Sequence, residues 1–240
     1  MPSIQKGYFT FKQFAVKQEQ TTLKVCTESC LFGALIDLEA AKSILDIGTG
    51  TGLLPLMLAQ KFPNAHFTGL EIDPVATKEA SFNFQNSPWS ERLTAKQADI
   101  KAYQPESLYE VIVSNPPFFP DHLLGPDPKK NAALHTTSLS FKELAFSVNR
   151  LSLEDGAFWC LLPPYQMAQL AEEMAALGWY PTQQIAIHNS AEKPVFRIVC
   201  QFIKGKPSTV LSSKTLAIRT FQNEYTPEFI ALLQPYYLHL

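Results

Sequence analysis

Ser43-Ile44-Leu45-Asp46-Ile47-Gly48-Thr49-Gly50-Thr51-Gly52-Leu53 is an apolar run that passes into three alternating glycines and then into the helical stretch Leu53 to Gln60. A near-continuous apolar strand feeding a tight turn and a helix is the pattern of a buried parallel β-strand opening an α/β unit. Glycines let the backbone turn sharply and approach a ligand closely, and the helix that follows presents free N–H groups. The spacing is G-x-G-x-G, with Leu53 where the dinucleotide fingerprint would place its last glycine. That break disfavours a pyrophosphate ligand, and with it a nicotinamide-dependent oxidoreductase. Next, His66-Phe67-Thr68-Gly69-Leu70-Glu71-Ile72-Asp73 reads as a second strand ending in an acid about 20 residues beyond the glycines, the place where ribose hydroxyls are gripped. Glu71 is the ribose candidate, with a solvated strand-end carboxylate as the alternative. Asp73, followed by Pro74, reads as the N-cap of the next helix.

A third strand, Leu93 to Ala98, brings Asp99-Ile100 to the same sheet edge, where an acid beside an apolar residue could bond an adenine amine and pack its ring. Asp99 reads equally well as an ordinary turn residue. The fourth, Tyr109 to Ser114, ends in Asn115-Pro116-Pro117-Phe118. Proline fixes its own φ near about −65° and pushes the preceding residue out of the helical region, so Asn115 and Pro116 are both extended at the strand's carboxyl end. The Asn115 side-chain oxygen and the Pro116 carbonyl could each accept one N–H of an exocyclic amine, while Phe118 offers a face for the ring. The competing reading is a rigid turn that ends a strand.

Taken together, Gly48 to Gly52, Glu71, Asp99 and Asn115 to Phe118 occupy successive strand ends, an order that resembles class I S-adenosylmethionine (SAM)-dependent methyltransferases. The resemblance implies a Rossmann-like α/β fold: a seven-stranded, mostly parallel sheet with an antiparallel last strand and helices on both faces. It also implies that the tetrapeptide marks methylation of an amine conjugated to a planar system. Phe9-Thr10-Phe11-Lys12-Gln13-Phe14, Leu23 to Ser29, and the segment Tyr225 to Leu238 narrow the likeness to the bacterial tRNA1(Val) adenine-N6 methyltransferases, over nearly the whole chain. Such a resemblance implies transfer from SAM to N6 of the adenine 3′ of the anticodon (A37). It assigns catalysis to Asn115, Pro116, Pro117 and Phe118. It assigns the cofactor to Lys24, Thr27, Asp46, Gly48, Gly50, Gly52, Glu71, Ile72, Asp99, Ile100 and Asn115; from their charge alone, Lys12, Lys129 and Lys130 are the candidates for RNA contacts. The chain departs from the family's pattern at Cys26 and Glu28, where glycine and aspartate are usual, and at Leu134, where arginine is usual. The same tetrapeptide also serves rRNA guanine-N2, DNA adenine-N6 and protein glutamine methyltransferases, and a non-catalytic SAM- or RNA-binding module is the alternative from another class.

With 240 residues and 46% hydrophobic content, the chain can bury a full α/β core. Net charge is only −2, which counts against broad electrostatic capture of nucleic acid. Local lysines could still supply a patch: Lys6, Lys12, Lys17 and Lys24, then Lys129 and Lys130, then Lys204 and Lys206, although surface lysines are usually just solvated. Cys26, Cys30, Cys160 and Cys200 show no C-x-x-C spacing, so reduced thiols are expected. His66, His122, His135, His188 and His239 are scattered, and no metal site is expected. No leader and no membrane-length apolar run is evident, so a cytoplasmic location and no membrane partner are expected, with a monomer as the default.

Residues 1–42 form a cap over the site in this reading, 43–205 the alternating catalytic domain, and 206–240 an extension packed on it. Pro120 to Lys130 reads as a loop over the pocket. Beyond it come a helix Phe141 to Leu153, a strand Ala157 to Leu162, a helix Gln166 to Leu177, and a hairpin of Tyr180 to Ile187 with Val195 to Phe202 through Glu192-Lys193-Pro194. Lys214 to Thr220 could add an edge strand before a helix near Pro227 to Leu233. An everted adenine could recover roughly 1–3 kcal/mol by stacking on Phe118 or Phe119.

Overall fold

The computed structural model describes residues 7–21, 24–117, 139–205 and 210–240. Phe118, Phe119, Pro120 to Lys130, Leu134 and His135 lie outside the described residues, and so do Lys6 and Lys206.

A short antiparallel pair, β1 (Tyr8–Thr10) and β2 (Ala15–Lys17), precedes helix α1 (Thr27–Leu35). Strands and helices then alternate: β3 (Ser43–Ile47), α2 (Leu53–Lys61), β4 (His66–Glu71), α3 (Pro74–Gln85), β5 (Leu93–Gln97) and β6 (Tyr109–Ser114). After these come α4 (Phe141–Leu151), β7 (Ser152–Leu162), α5 (Pro164–Ala176), β8 (Trp179–Ser190), β9 (Val195–Lys204), β10 (Ser212–Arg219) and α6 (Pro227–Leu233). The main sheet has the order β10-β8-β9-β7-β6-β3-β4-β5. From β7 to β5 every pairing is parallel, and β9 runs antiparallel to both β7 and β8. The long hairpin of β8 and β9 is the one anticipated from its turn.

The sheet has eight strands where seven are expected. The eighth, β10, lies parallel to β8 in the register Leu216↔Ile187. It comes from the C-terminal extension, so the sheet does not stop at residue 205. Its first four residues are exposed and polar, and only Leu216 and Ile218 turn inward, which is why its sequence reads weakly as sheet.

Alternation along the central strands sends side chains to two cores. Val111, Val113, Trp159 and Leu161 face one layer with Leu31, Leu56, Phe84 and Phe229; Ile112, Phe158 and Cys160 face the other with Leu144, Val148 and Leu170. Helix α2 is buried over Leu53 to Ala59 because the sheet, α1 and the C-terminal segment enclose it. Helix α3 starts where Asp73 accepts the Val75 and Ala76 N–H groups with Pro74 behind it, as the sequence indicates.

Two polar side chains of α3 fasten the N-terminal segment. Glu79, 5% exposed, accepts the backbone N–H groups of Glu19, Gln20 and Thr21 at 2.8–3.1 Å. Asn83, also buried, accepts from Lys17 N and donates to the carbonyls of Lys17 and Thr51. Burial works to raise the Glu79 carboxyl, but the bonds from residues 19–21 outweigh it and hold the group below its usual 4.5. A carboxylate whose folded pKa is depressed contributes stability that is present above 4.5 and is lost as pH falls through the lower folded value. Replacing it leaves three backbone donors short of an acceptor, the Thr21 N–H among them buried. We expect Glu79→Ala to destabilise the protein by about 2–3 kcal/mol at pH 7, and the gap to wild type to close below pH 4.5; denaturation curves across pH measure both.

Candidate functional site

The carboxyl ends of β3, β4 and β6 meet at one edge of the sheet, where open α/β sheets leave a crevice for ligands. Gly48, Gly50 and Gly52 all adopt positive φ, at 72°, 55° and 83°. A side chain at Gly52 would meet the Phe84 ring at 2.4 Å, so packing fixes that glycine. Nothing lies within 4 Å of the Cβ position at Gly48 or Gly50, so these two leave open space in front of the turn. The Gly48 and Thr49 N–H groups both donate to Leu70 O, which binds the turn to β4.

Glu71 extends this attachment. One carboxylate oxygen accepts the Gly50 N–H at 2.9 Å, and the other accepts Ile72 N at 2.9 Å and Asp73 N at 3.0 Å. The acid chosen as a ribose ligand is therefore also the strut that sets the glycine turn. Its oxygens retain lone pairs beyond these bonds. Beside it, Ile72 is 56% exposed, an apolar surface at the strand end that a planar ring could cover.

Asp46 and Asn115 occupy the inner wall of the cleft, along with Lys24, Ser29 and the glycine turn. Asp46 is 1% exposed, and neither of its oxygens meets a donor among the described residues. Burial pushes its carboxyl up to about 7; the neighbouring Thr49 hydroxyl tempers the rise without reaching hydrogen-bond geometry, and the Glu71 charge adds to it. A buried, unpartnered carboxyl facing a ligand cleft suits a cationic amine. Asn115 donates its amide N–H to Ser29 Oγ at 3.0 Å, which directs the oxygen as the remaining acceptor. Ser114 Oγ bonds Ile47 O at 2.9 Å and locks the ends of β6 and β3 together.

The other expected residues are held by contacts of their own. Asp99 Oδ1 accepts the Lys101 N–H, its backbone carbonyl closes the turn onto Ala102 and Tyr103, and Ile100 is buried in the core. Lys24 lines the cleft with its ammonium anchored on the Gln18 and Glu19 carbonyls. Thr27 lines a separate cavity beside Tyr225. Lys12 donates from Nζ to Gln234 O and from its backbone to Tyr236 O, so it ties the C-terminal segment to the cap. Pro116 is buried and Pro117 exposed, while Phe118, Lys129 and Lys130 lie outside the described residues. Ser29 was not singled out from the sequence, since a serine in the first turns of a helix carries no positional signature of its own. Among the described residues no group of His, Cys, Asp and Glu could hold a metal ion, and no helix is long and apolar enough to cross a membrane. The roomier groove between α4 and α5, beside Phe146, shares no residue with this cleft.

The strand order with a glycine turn after β3 and an antiparallel β9 defines a class I SAM-dependent methyltransferase fold. A predicted O-methyltransferase from Agrobacterium tumefaciens shares it with a TM-score of 0.65, at 18% identity over 86% of this chain and 95% of that one. A methyltransferase from Pyrococcus furiosus shares it at 0.56, with 19% identity over 80% and 90%. The methyltransferase small domain model matches residues 24–126. Relatives from Dyadobacter fermentans (38% identity, 97% of this chain and 98% of theirs), Pedobacter heparinus (37%, 97% and 99%) and Yersinia pestis (35%, 99% and 96%) are each named tRNA1(Val) (adenine(37)-N6)-methyltransferase. This chain belongs to that family.

The raised Asp46 carboxyl has two measurable consequences. Its ionised form is penalised in the folded state, so stability falls as pH rises from 3.8 through about 7. Asp46→Asn should therefore raise the melting temperature of the ligand-free protein at pH 8, by roughly 2–4 °C per kcal/mol recovered. The same variant should weaken SAM binding about tenfold or more by calorimetry, and should lack the loss of affinity expected of wild type below pH 7.

Proposed function

We propose that this protein transfers a methyl group from SAM to N6 of adenine 37 of tRNA1(Val), with Asn115 as the residue that orients the amine. Family membership supports the reaction, and the Ser29–Asn115 bond supports the residue's role. A side-chain amide held by its N–H on a neighbouring helix presents its oxygen as a fixed acceptor. Neither that oxygen nor the Pro116 carbonyl takes a hydrogen bond from a donor among the described residues.

The residues present fit SAM. Gly48 and Gly50 leave a cradle that a Cβ would fill, Glu71 has lone pairs for ribose hydroxyls, and Asp46 is an unpartnered acid for the methionine ammonium. SAM supplies an electrophilic methyl on a sulfonium. The protein's task is then orientation and exclusion of water, worth up to about 7–11 kcal/mol in favourable cases. Accepting both N6 hydrogens on Asn115 Oδ1 and Pro116 O localises the lone pair and stabilises the positive charge that grows on nitrogen, more strongly in the transition state than before it. No side-chain base is needed, because the proton of the methylated amine is acidic enough to leave for water. Ser29 acts as a positioning residue through Asn115.

Purified protein is to be incubated with SAM and unmodified tRNA1(Val), and the nucleosides resolved by mass spectrometry. N6-methyladenosine at position 37 is the expected product; methylguanosine, or no methylated nucleoside, would replace this reading with another member of the class. Asn115→Ala should lower kcat by at least about 100-fold and change SAM affinity by less than about threefold, consistent with loss of one preorganised transition-state contact. Ser29→Ala should cost about tenfold in kcat with KM little changed. Wild-type turnover by Asn115→Ala would remove it from the catalytic role. Glu71→Ala should weaken SAM binding, both through the lost ribose acceptor and through the loosened Gly50 turn, and an unchanged SAM affinity would argue against both roles.

A further inference from the structure

A second cavity opens on the same sheet edge, about 330 Å³ in volume, within the roughly 300–1,000 Å³ of small-ligand sites. Its walls come from the carboxyl ends of β8 and β10, the start of β9 and the first turn of α1: Asn189, Arg219, Phe196, Cys26 and Glu28, with Tyr225 behind. It adjoins the methyl-transfer cleft through a single turn of helix. Cys26 faces this cavity while its Sγ lies 3.1 Å from Ser29 Oγ, and Ser29 holds Asn115.

Arg219 distinguishes this cavity from a surface dent. Its guanidinium lies 4.4 Å from the Tyr225 ring centroid, and Tyr225 stacks in turn on buried Phe229 at 4.5 Å. One nitrogen, Nη1, donates to Asn223 O at 2.7 Å. Nε and Nη2 meet no acceptor among the described residues, so a planar cation is held rigid by stacking with donors to spare. The neighbouring Arg197 is committed differently, to Glu28 at 2.7 Å. Asn189, exposed at the rim, adds an amide donor, and the partly buried Phe196, with the Arg197 guanidinium 5.4 Å from its ring centroid, adds an aromatic ring. An oriented guanidinium with unspent donors, an amide and an aromatic face one helical turn from the reacting amine is a set of groups that recognises a nucleotide.

We propose that this cavity is a second RNA subsite, in which Arg219 binds the phosphodiester of a nucleotide flanking the target adenine and Phe196 receives its base. The inference rests on the tRNA methyltransferase reading and extends it: the net charge of −2 leaves no broad field to capture RNA, so recognition is concentrated in a few placed donors. Arg219 does not touch the reacting atoms, and its contribution is to substrate binding and register.

Binding of unmodified tRNA1(Val) is to be measured for wild type, Arg219→Gln and Asn189→Asp between 50 and 200 mM salt, about the range over which phosphate contacts dominate. Arg219→Gln should weaken tRNA binding roughly tenfold and reduce the slope of log affinity against log salt by about 0.7, the value of one single-strand phosphate contact. SAM affinity by calorimetry and kcat at saturating tRNA should stay within about twofold of wild type. Asn189→Asp, at an exposed position, should weaken tRNA binding with an unchanged melting temperature, and it carries the test if Arg219→Gln proves unstable. Wild-type affinity and slope in both variants, or weakened binding with an unaltered salt slope in Arg219→Gln, overturn the subsite. Failure of the parent reading shows itself separately, as wild-type enzyme that makes no N6-methyladenosine on tRNA, and the nucleotide assignment then falls with it.

Discussion

The carboxylate of Glu71 holds this site in shape. Three backbone N–H groups converge on it, from Gly50 in one strand-end turn and from Ile72 and Asp73 in the next. Turns rich in glycine lose more conformational entropy on folding than any others, and the glycine turn here has three positive-φ residues to hold. A charged acceptor bonding across two turns offsets that loss with bonds that are shorter and stronger than neutral ones. One of the three bonds leads into α3, since Asp73 is both a donor to Glu71 and the N-cap of that helix. Pocket shape and helix start are thus one hydrogen-bonded unit.

Helix α3 passes this order on to the N-terminal segment. Glu79 and Asn83 lie one turn apart on α3, bonding residues 17 and 19–21, and Asn83 also bonds the carbonyl of Thr51 in the glycine turn. The segment that leads to Lys24 and Ser29 is therefore registered against the same turn that would hold the cofactor. At the other end of the cap, Lys12 captures the carbonyls at the end of α6. N- and C-terminal segments close over α2 together, which explains why that helix is apolar on nearly every side. The position of Asn115 depends on this arrangement, because Ser29, its hydrogen-bond partner, sits on α1.

Local chemistry made much of this legible in the sequence. The β3 strand and its glycine turn, the Asp73-Pro74 helix start, the stiffened Asn115-Pro116 strand end and the β8–β9 hairpin are each encoded within about ten residues. Less legible were features whose partners are distant in the chain. Glu79 and Asn83 look like the polar face of a helix until the backbone of residues 17–21 is placed beside them. Lys12 looks like a solvated cation, yet its ammonium bonds the Gln234 carbonyl 222 residues away. Strand β10 is legible only in part, as the edge strand over Lys214 to Thr220, because half of it is exposed and polar, and the backbone bonds that Glu71 accepts cannot be read from its place in the sequence.

The distribution of charge at the sheet edge follows from the chemistry the site must host. A sulfonium ligand and a nitrogen that turns positive during transfer both favour an electron-rich cleft, and Asp46 and Asn115 line the cleft with Glu71 behind its glycine turn. A polyanionic substrate requires the opposite potential only a few residues away. Placing a fixed guanidinium at Arg219, stacked on Tyr225 and separated from the cleft by the first turn of α1, meets both demands without a strongly basic protein. The Arg197–Glu28 pair stands between the two regions, and its partial burial limits the screening that would otherwise weaken it. Because Glu28 belongs to the same helical turn as Ser29, that ion pair couples the nucleotide-side wall to the residue that orients Asn115. The wall of the second cavity and the hydrogen-bond partner of Asn115 therefore share one short helix.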